Sequence, residues 1–112
     1  MKNREHLYKG KTIDIPRWIE GALLWDEYKG KKRFYILPDS SVNFDDFEEV
    51  HPDTVCQFTG LLDKNGNKIF EGDKVYIDYN YIGTIIPKLE NGKFIPYDYN
   101  LAKSKITGNI HD

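Results

Sequence analysis

The chain has 112 residues, a one-domain length, and its 39% hydrophobic and 30% charged residues make a globular rather than a disordered balance. The net charge is −2, with nine positive and eleven negative side chains in residues 1–56 and seven of each in residues 57–112, so neither half has the basic excess that phosphate-backbone binding usually needs. One cysteine, Cys56, excludes an intramolecular disulfide and a multi-cysteine metal site; the polar start lacks the apolar core of a signal peptide, and no apolar run has the length of a membrane span. The expected setting is a reducing cytoplasm, bacterial or in an infected host cell, with no membrane contact.

Aromatics are 14% of the chain, which favours strands, where half-buried rings pack across a pleated face. Residues 7–13 read as a short strand, and residues 18–25 as a second, more apolar one behind Pro16. Residues 26–32 are polar with Gly30 and read as a turn, and residues 33–37 make a third strand ended by Pro38. Short connections favour an antiparallel meander of the three. Residues 39–54 read as a polar loop, with Phe44, Phe47 and Val50 spaced for one helical turn and a strand from about Glu48 into His51. Pro52-Asp53-Thr54 is turn chemistry, or the cap of a short helical turn through Val55 and Cys56.

Asp63-Lys64-Asn65-Gly66 is the clearest hairpin or tight-turn signal, because Asn-Gly readily takes positive φ at both central positions. Val75, Ile77 and Tyr79 alternate on one face of a half-buried strand over residues 74–79. Residues 81–86 form another strand with a bend at Gly83. Asn91-Gly92 is a second hairpin turn before Lys93-Phe94-Ile95, and residues 105–110 close the chain as a strand.

The run from His51 through Thr54, Val55, Cys56, Thr59 and Gly60 to Leu61, the turn Asp63–Gly66, and Ile69-Phe70-Glu71-Gly72-Asp73-Lys74-Val75 together resemble the signature of the YopX family of phage and prophage proteins. Tyr8-Lys9-Gly10-Lys11, Trp18-Ile19-Glu20-Gly21 and Ile106-Thr107-Gly108-Asn109-Ile110 are looser echoes on either side. Cys56 stands where members commonly carry Gly, and the chain stops at Asp112 where they often continue. The resemblance implies a mainly β fold with minor α content, whose carboxy-terminal part is similar to an SH3-like barrel. It supplies no reaction, cofactor or catalytic residue. The expected organisation is a single domain, residues 1–112, with an amino-terminal antiparallel sheet over residues 1–50 packed on a barrel over residues 51–112.

Each candidate site has a structural alternative. Asp63, Glu71 and Asp73 offer a paired-carboxylate or metal reading but have neither the spacing nor the closing Glu of a calcium loop, and Asp63 and Asp73 otherwise read as turn acceptors of backbone N–H groups. His6, His51 and His111 show no ligand spacing. Cys56 lacks a Cys partner and reads as a small buried residue. Gly60 to Gly66 lacks the Lys-Ser/Thr ending of a phosphate loop. Two surfaces remain. Tyr76, Tyr79, Tyr81, Phe94, Tyr97 and Tyr99, interleaved with Lys88 and Lys93, are the rings and cations that hold single-stranded nucleic acid, and otherwise supply core and surface tyrosines. Phe44, Asp45, Asp46, Phe47, Glu48 and Glu49 make an acidic, aromatic run that would dock on a basic partner, and otherwise a solvated face.

The expected function is a non-enzymatic binding or interaction module that acts on a protein partner or assembles with itself as a homo-oligomer. The alternatives are a single-stranded nucleic-acid accessory protein and an anti-defence or host-takeover inhibitor. No cofactor, metal or small-molecule substrate is expected.

Overall fold

The computed structural model describes residues 7–39, 43, 46–77, 83–90, 93–95 and 101–112. The chain is mainly β, and all its strand pairings among these residues are antiparallel. It divides into two compact units, Met1–Gln57 and Phe58–Asp112.

In the first unit, β1 (Tyr8–Lys11), β2 (Trp18–Tyr28), β3 (Lys31–Pro38) and β4 (Glu48–Val50) lie side by side in the order β4-β3-β2-β1. The expected three-strand meander is present and β4 extends it. Cys56 and Gln57, which open β5 (Cys56–Leu62), pair with Lys9 and Tyr8 on the free side of β1. Ile36 and Val50 are fully buried, each stabilising the sheet by roughly 1.5–3 kcal/mol relative to exposure.

The turn expected over residues 26–32 is shorter. β2 runs on to Tyr28, and the hairpin reverses at Lys29-Gly30, both at positive φ (52° and 77°). The polar residues Asp26, Glu27, Lys31 and Lys32 look like a loop in sequence, but here they are the exposed end of two long strands. Two positive-φ residues give a turn whose twist matches the flanking strands.

Asp46 closes a 3-10 turn, its amide donating to the Asn43 carbonyl (3.2 Å), and the strand expected from Glu48 is β4 (Glu48–Val50), while Phe44 lies outside the described residues. Pro52–Thr54 forms one 3-10 turn that stops before Cys56. Thr54 locks it, its hydroxyl donating to the His51 carbonyl (2.7 Å) and accepting from the Lys11 amide (2.9 Å).

In the second unit, β5 continues and pairs with β6 (Lys68–Phe70), with a register shift between Phe58 and Leu62. A three-stranded sheet runs β11-β7-β8, formed by β11 (Ser104–Asn109), β7 (Asp73–Ile77) and β8 (Gly83–Ile85). β9 (Lys88–Glu90) and β10 (Lys93–Ile95) pair so that Glu90 faces Lys93, and the expected turn at Asn91-Gly92 lies outside the described residues. Asp73, Val75 and Ile77 point inward on β7 while Lys74 and Tyr76 point out, as the alternation predicts. Ile69, Val75 and Ile77 form the core, with Ile85 and Ile106 packed against them. No closed barrel is found among the described residues.

The Asp63–Gly66 turn differs from its sequence reading. Gly66 has positive φ (82°) but Asn65 does not. The Gly66 amide donates to the Asp63 carbonyl, making Gly66 the fourth residue of the turn rather than its third. The Asp63 side chain fixes this choice by taking the Asn65 and Asn67 amides.

Candidate functional site

The carboxylates of the signature block are anchors. Asp63, 5% exposed, accepts from the Asn65 and Asn67 amides (both 2.9 Å) and from the Ile106 amide on β11 (3.3 Å). Burial pushes its carboxyl up, but the donors around it outweigh that and hold it below the usual range. Asp73, 1% exposed, accepts from the Phe70 amide (2.8 Å) and the Asn109 side-chain amide on β11 (2.9 Å). Both residues therefore tie a turn to the closing strand. Glu71 accepts from the Leu89 amide (2.9 Å). Among the described residues no three His, Cys, Asp or Glu side chains gather as metal ligands.

Cys56 is buried, and its thiol donates to the Thr54 carbonyl (3.2 Å). Its φ is not positive, and it opens β5 as ordinary extended backbone. Thr59-Gly60 is the irregular stretch of β5, where the Thr59 hydroxyl donates to the Ile69 carbonyl (2.7 Å). His51 is exposed and His111 half-buried, while His6 lies outside the described residues.

Of the aromatic-lysine set, Tyr76 is 44% exposed on the outer face of β7, directly across from Lys105 on β11 and Thr84 on β8. Lys88 is exposed and within 3.8 Å of Glu90. Tyr79, Tyr81, Tyr97 and Tyr99 lie outside the described residues, as do the side chains of Lys93 and Phe94.

Of the acidic run, Phe44 and Asp45 lie outside the described residues, and Asp46 and Glu49 are exposed. Glu48 is held by the Arg17 guanidinium through both oxygens (2.7 and 2.6 Å). Phe47 is 40% exposed and meets the Tyr35 ring edge-on, with centroids 5.1 Å apart. A bridge between Thr12 and Val50 brings the segment after β1 alongside β4. The result is a groove of about 280 Å³ lined by Thr12, Ile13, Asp14, Phe47, Glu48 and Glu49.

A third surface stands on the β2–β3 hairpin. β1 pairs with residues 18–21 of β2 and β4 with residues 34–36 of β3. Among the described residues, the ends of β2 and β3 past these contacts pair only with each other. At about 3.4 Å per residue the ribbon reaches roughly 10 Å past β4. Its end carries Tyr28 (53% exposed), while Trp25 (59% exposed) stands at its base, level with Val50 of β4 through Phe34, and on the opposite face, three residues away along the strand. Lys32 lies over the Trp25 ring at 4.4 Å, and Arg33 over Tyr28 at 4.7 Å. Arg33 also forks onto both Asp26 oxygens (2.8 and 2.6 Å), which holds the Asp26 carboxyl below its usual range.

Sequence reasoning missed this surface because Lys29, Gly30, Lys31, Lys32 and Arg33 look like turn composition. The usable signal is four cations in five residues next to Tyr28 and Trp25.

No helix among the described residues is long and apolar enough to cross a membrane. No curated protein and no solved structure matches the chain. A family model described as YopX protein matches residues 8–112. The chain belongs to the YopX family.

Proposed function

We propose that this chain is a non-enzymatic interaction module that contacts a protein partner, or another copy of itself, through the end of the β2–β3 ribbon. The single observation that carries the reading is the two exposed rings on opposite faces of a paired ribbon, Trp25 under Lys32 on one and Tyr28 under Arg33 on the other. Trp, Tyr and Arg are the residues most enriched where protein interfaces concentrate their binding energy. The ribbon presents them on paired backbone, so little ordering entropy opposes docking. The acidic carboxylates of the signature block act as structural acceptors, which supports the non-enzymatic reading. The groove beside β4, about 280 Å³, has room for side chains of a partner.

The proposal includes a phage or prophage origin, a cytoplasmic setting and closure of the second unit into an SH3-like barrel. It is tested by affinity capture with mass spectrometry in producing cells, comparing the natural chain with a Trp25→Ala/Tyr28→Ala variant. A partner enriched by the first and lost from the second is the expected result. Equal enrichment by both overturns the assignment of the ribbon.

The second reading, single-stranded nucleic-acid binding, rests on exposed Tyr76 with Lys105 across from it. It predicts salt-sensitive retardation of a single-stranded oligonucleotide that Tyr76→Ala weakens; no retardation at low salt removes it. The anti-defence reading depends on the acidic run, where Arg17 already neutralises Glu48.

A further inference from the structure

We infer that the β2–β3 ribbon docks into the groove beside β4 of a second copy of this chain, a reciprocal pairing that makes the protein a dimer. The inference rests on the reading of the ribbon as the contact element and names its occupant.

Two independent complementarities point to a second copy. The first is charge. Residues 26–33 carry Lys29, Lys31, Lys32 and Arg33 against Asp26 and Glu27, an excess of two positive charges. The Arg33–Asp26 fork is internally satisfied, and Glu27 stands opposite Lys32 in register. Lys29 and Lys31 at the reversal therefore carry the excess, and both are exposed. The groove is its counterpart, lined by Asp14, Glu48 and Glu49, with exposed Asp46 next to Phe47 in sequence. Arg17 offsets only Glu48.

The second complementarity is apolar. The groove has Ile13 (38% exposed) and Phe47 (40% exposed) in its wall, and Ile15 (77% exposed) follows along the same segment. The ribbon brings Tyr28 beside Lys31, its cross-strand neighbour, while Trp25, three residues earlier on the strand, faces the other way. A ring enters such a contact with roughly 150–250 Å², and cations at its edge exchange water for carboxylates. A single ribbon in a single groove covers less than the roughly 1,000 Å² of a specific interface, so the reciprocal arrangement is the one that suffices. The formal net charge of −2 leaves little overall repulsion between copies.

The test is sedimentation equilibrium on the full chain and two charge-altered variants. The ribbon variant is Lys29→Glu/Lys31→Glu. The groove variant is Asp14→Lys/Glu49→Gln; glutamine is chosen at 49 because a cation there would repel Arg33, whose charge Glu49 supports. Far-UV circular dichroism checks that each is folded, and Asp14→Lys alone replaces the double variant if that one is not.

The natural chain is expected to fit a monomer–dimer equilibrium that weakens with salt. Each variant alone is expected to dimerise at least about tenfold more weakly, and an equimolar mixture of the two to recover a heterodimer, because opposite charges face each other again. A natural chain that stays monomeric up to about 1 mM overturns the inference. A dimer indifferent to both variants, or a mixture that fails to pair, also overturns it. Capture of a different protein that depends on Trp25 and Tyr28, with the natural chain monomeric, would leave the ribbon reading standing and remove only the second copy as its occupant.

Discussion

Replacing Asp63 by alanine removes the acceptor that closes one turn and ties it to β11. Three backbone amides lose a charged partner: Asn65 and Asn67 at 2.9 Å and Ile106 at 3.3 Å. A hydrogen bond to a charged group contributes about 1.5–3 kcal/mol when its partners stay dry. Residues 64–68 are exposed, so water can take over the two turn amides, whereas the Ile106 amide lies on a strand. The expected loss is about 2–4 kcal/mol, a large part of the 5–15 kcal/mol of a typical domain. That corresponds to roughly 8–15 °C in melting temperature for a chain of this size. Asp63→Asn keeps one oxygen for the two short bonds but turns an amino group toward the Ile106 amide; its cost should be about 1–2 kcal/mol. The assay is urea unfolding followed by far-UV circular dichroism. Far-UV circular dichroism reads both units, whereas Trp18 and Trp25 both belong to the first. If Asp63→Ala changes stability by less than about 0.5 kcal/mol, the carboxylate is not a structural acceptor and a chemical role for the signature block reopens.

The same residue sets an acid dependence. Its folded-state value is depressed, so its contribution is complete above the unfolded value of about 3.9 and is lost as pH falls through the lower folded value. The stability gap between the natural chain and Asp63→Asn should therefore narrow below about pH 4, and a gap unchanged at pH 3 contradicts this. Gly21→Ala should be among the most damaging single substitutions, since a Cβ there would lie 1.9 Å from the Leu37 carbonyl oxygen on β3. Loss of the cooperative tryptophan fluorescence transition is the expected readout, and a normal transition would contradict the close approach. Arg17→Ala removes an exposed ion pair with Glu48 and should cost less than about 1 kcal/mol by urea titration.

Much of the fold was legible where residue pattern and backbone need coincide. The alternation of Val75 and Ile77 gave β7, and Phe34 to Leu37 gave the centre of β3, because period-2 burial leaves a direct trace. The anchoring roles of Asp63 and Asp73 were legible for the same reason, since a short carboxylate beside a turn glycine has local amides to accept. The Asn65 conformation was not, because the choice between turn types rests on the Asp63 side chain and on β11, which lies about forty residues further on. The ribbon was hidden by composition: lysines mark loops on average, and only the register of β2 with β3 makes Lys31 and Lys32 strand residues. The groove was half legible. The acidic run flagged Glu48 and Glu49, but Thr12, Ile13 and Asp14 reach them through the Thr12–Val50 bridge, a pairing with no local signal.

The claim at the centre of this account is that the end of the β2–β3 ribbon is the contact element. The two indole N–H signals of Trp18 and Trp25 in a proton–nitrogen correlation spectrum test it most directly, followed as protein concentration rises. Trp25, exposed on the ribbon, should shift or broaden with concentration, while Trp18, half-buried beside β1, stays in place. A moving Trp18 signal beside a stationary Trp25 signal would contradict the account.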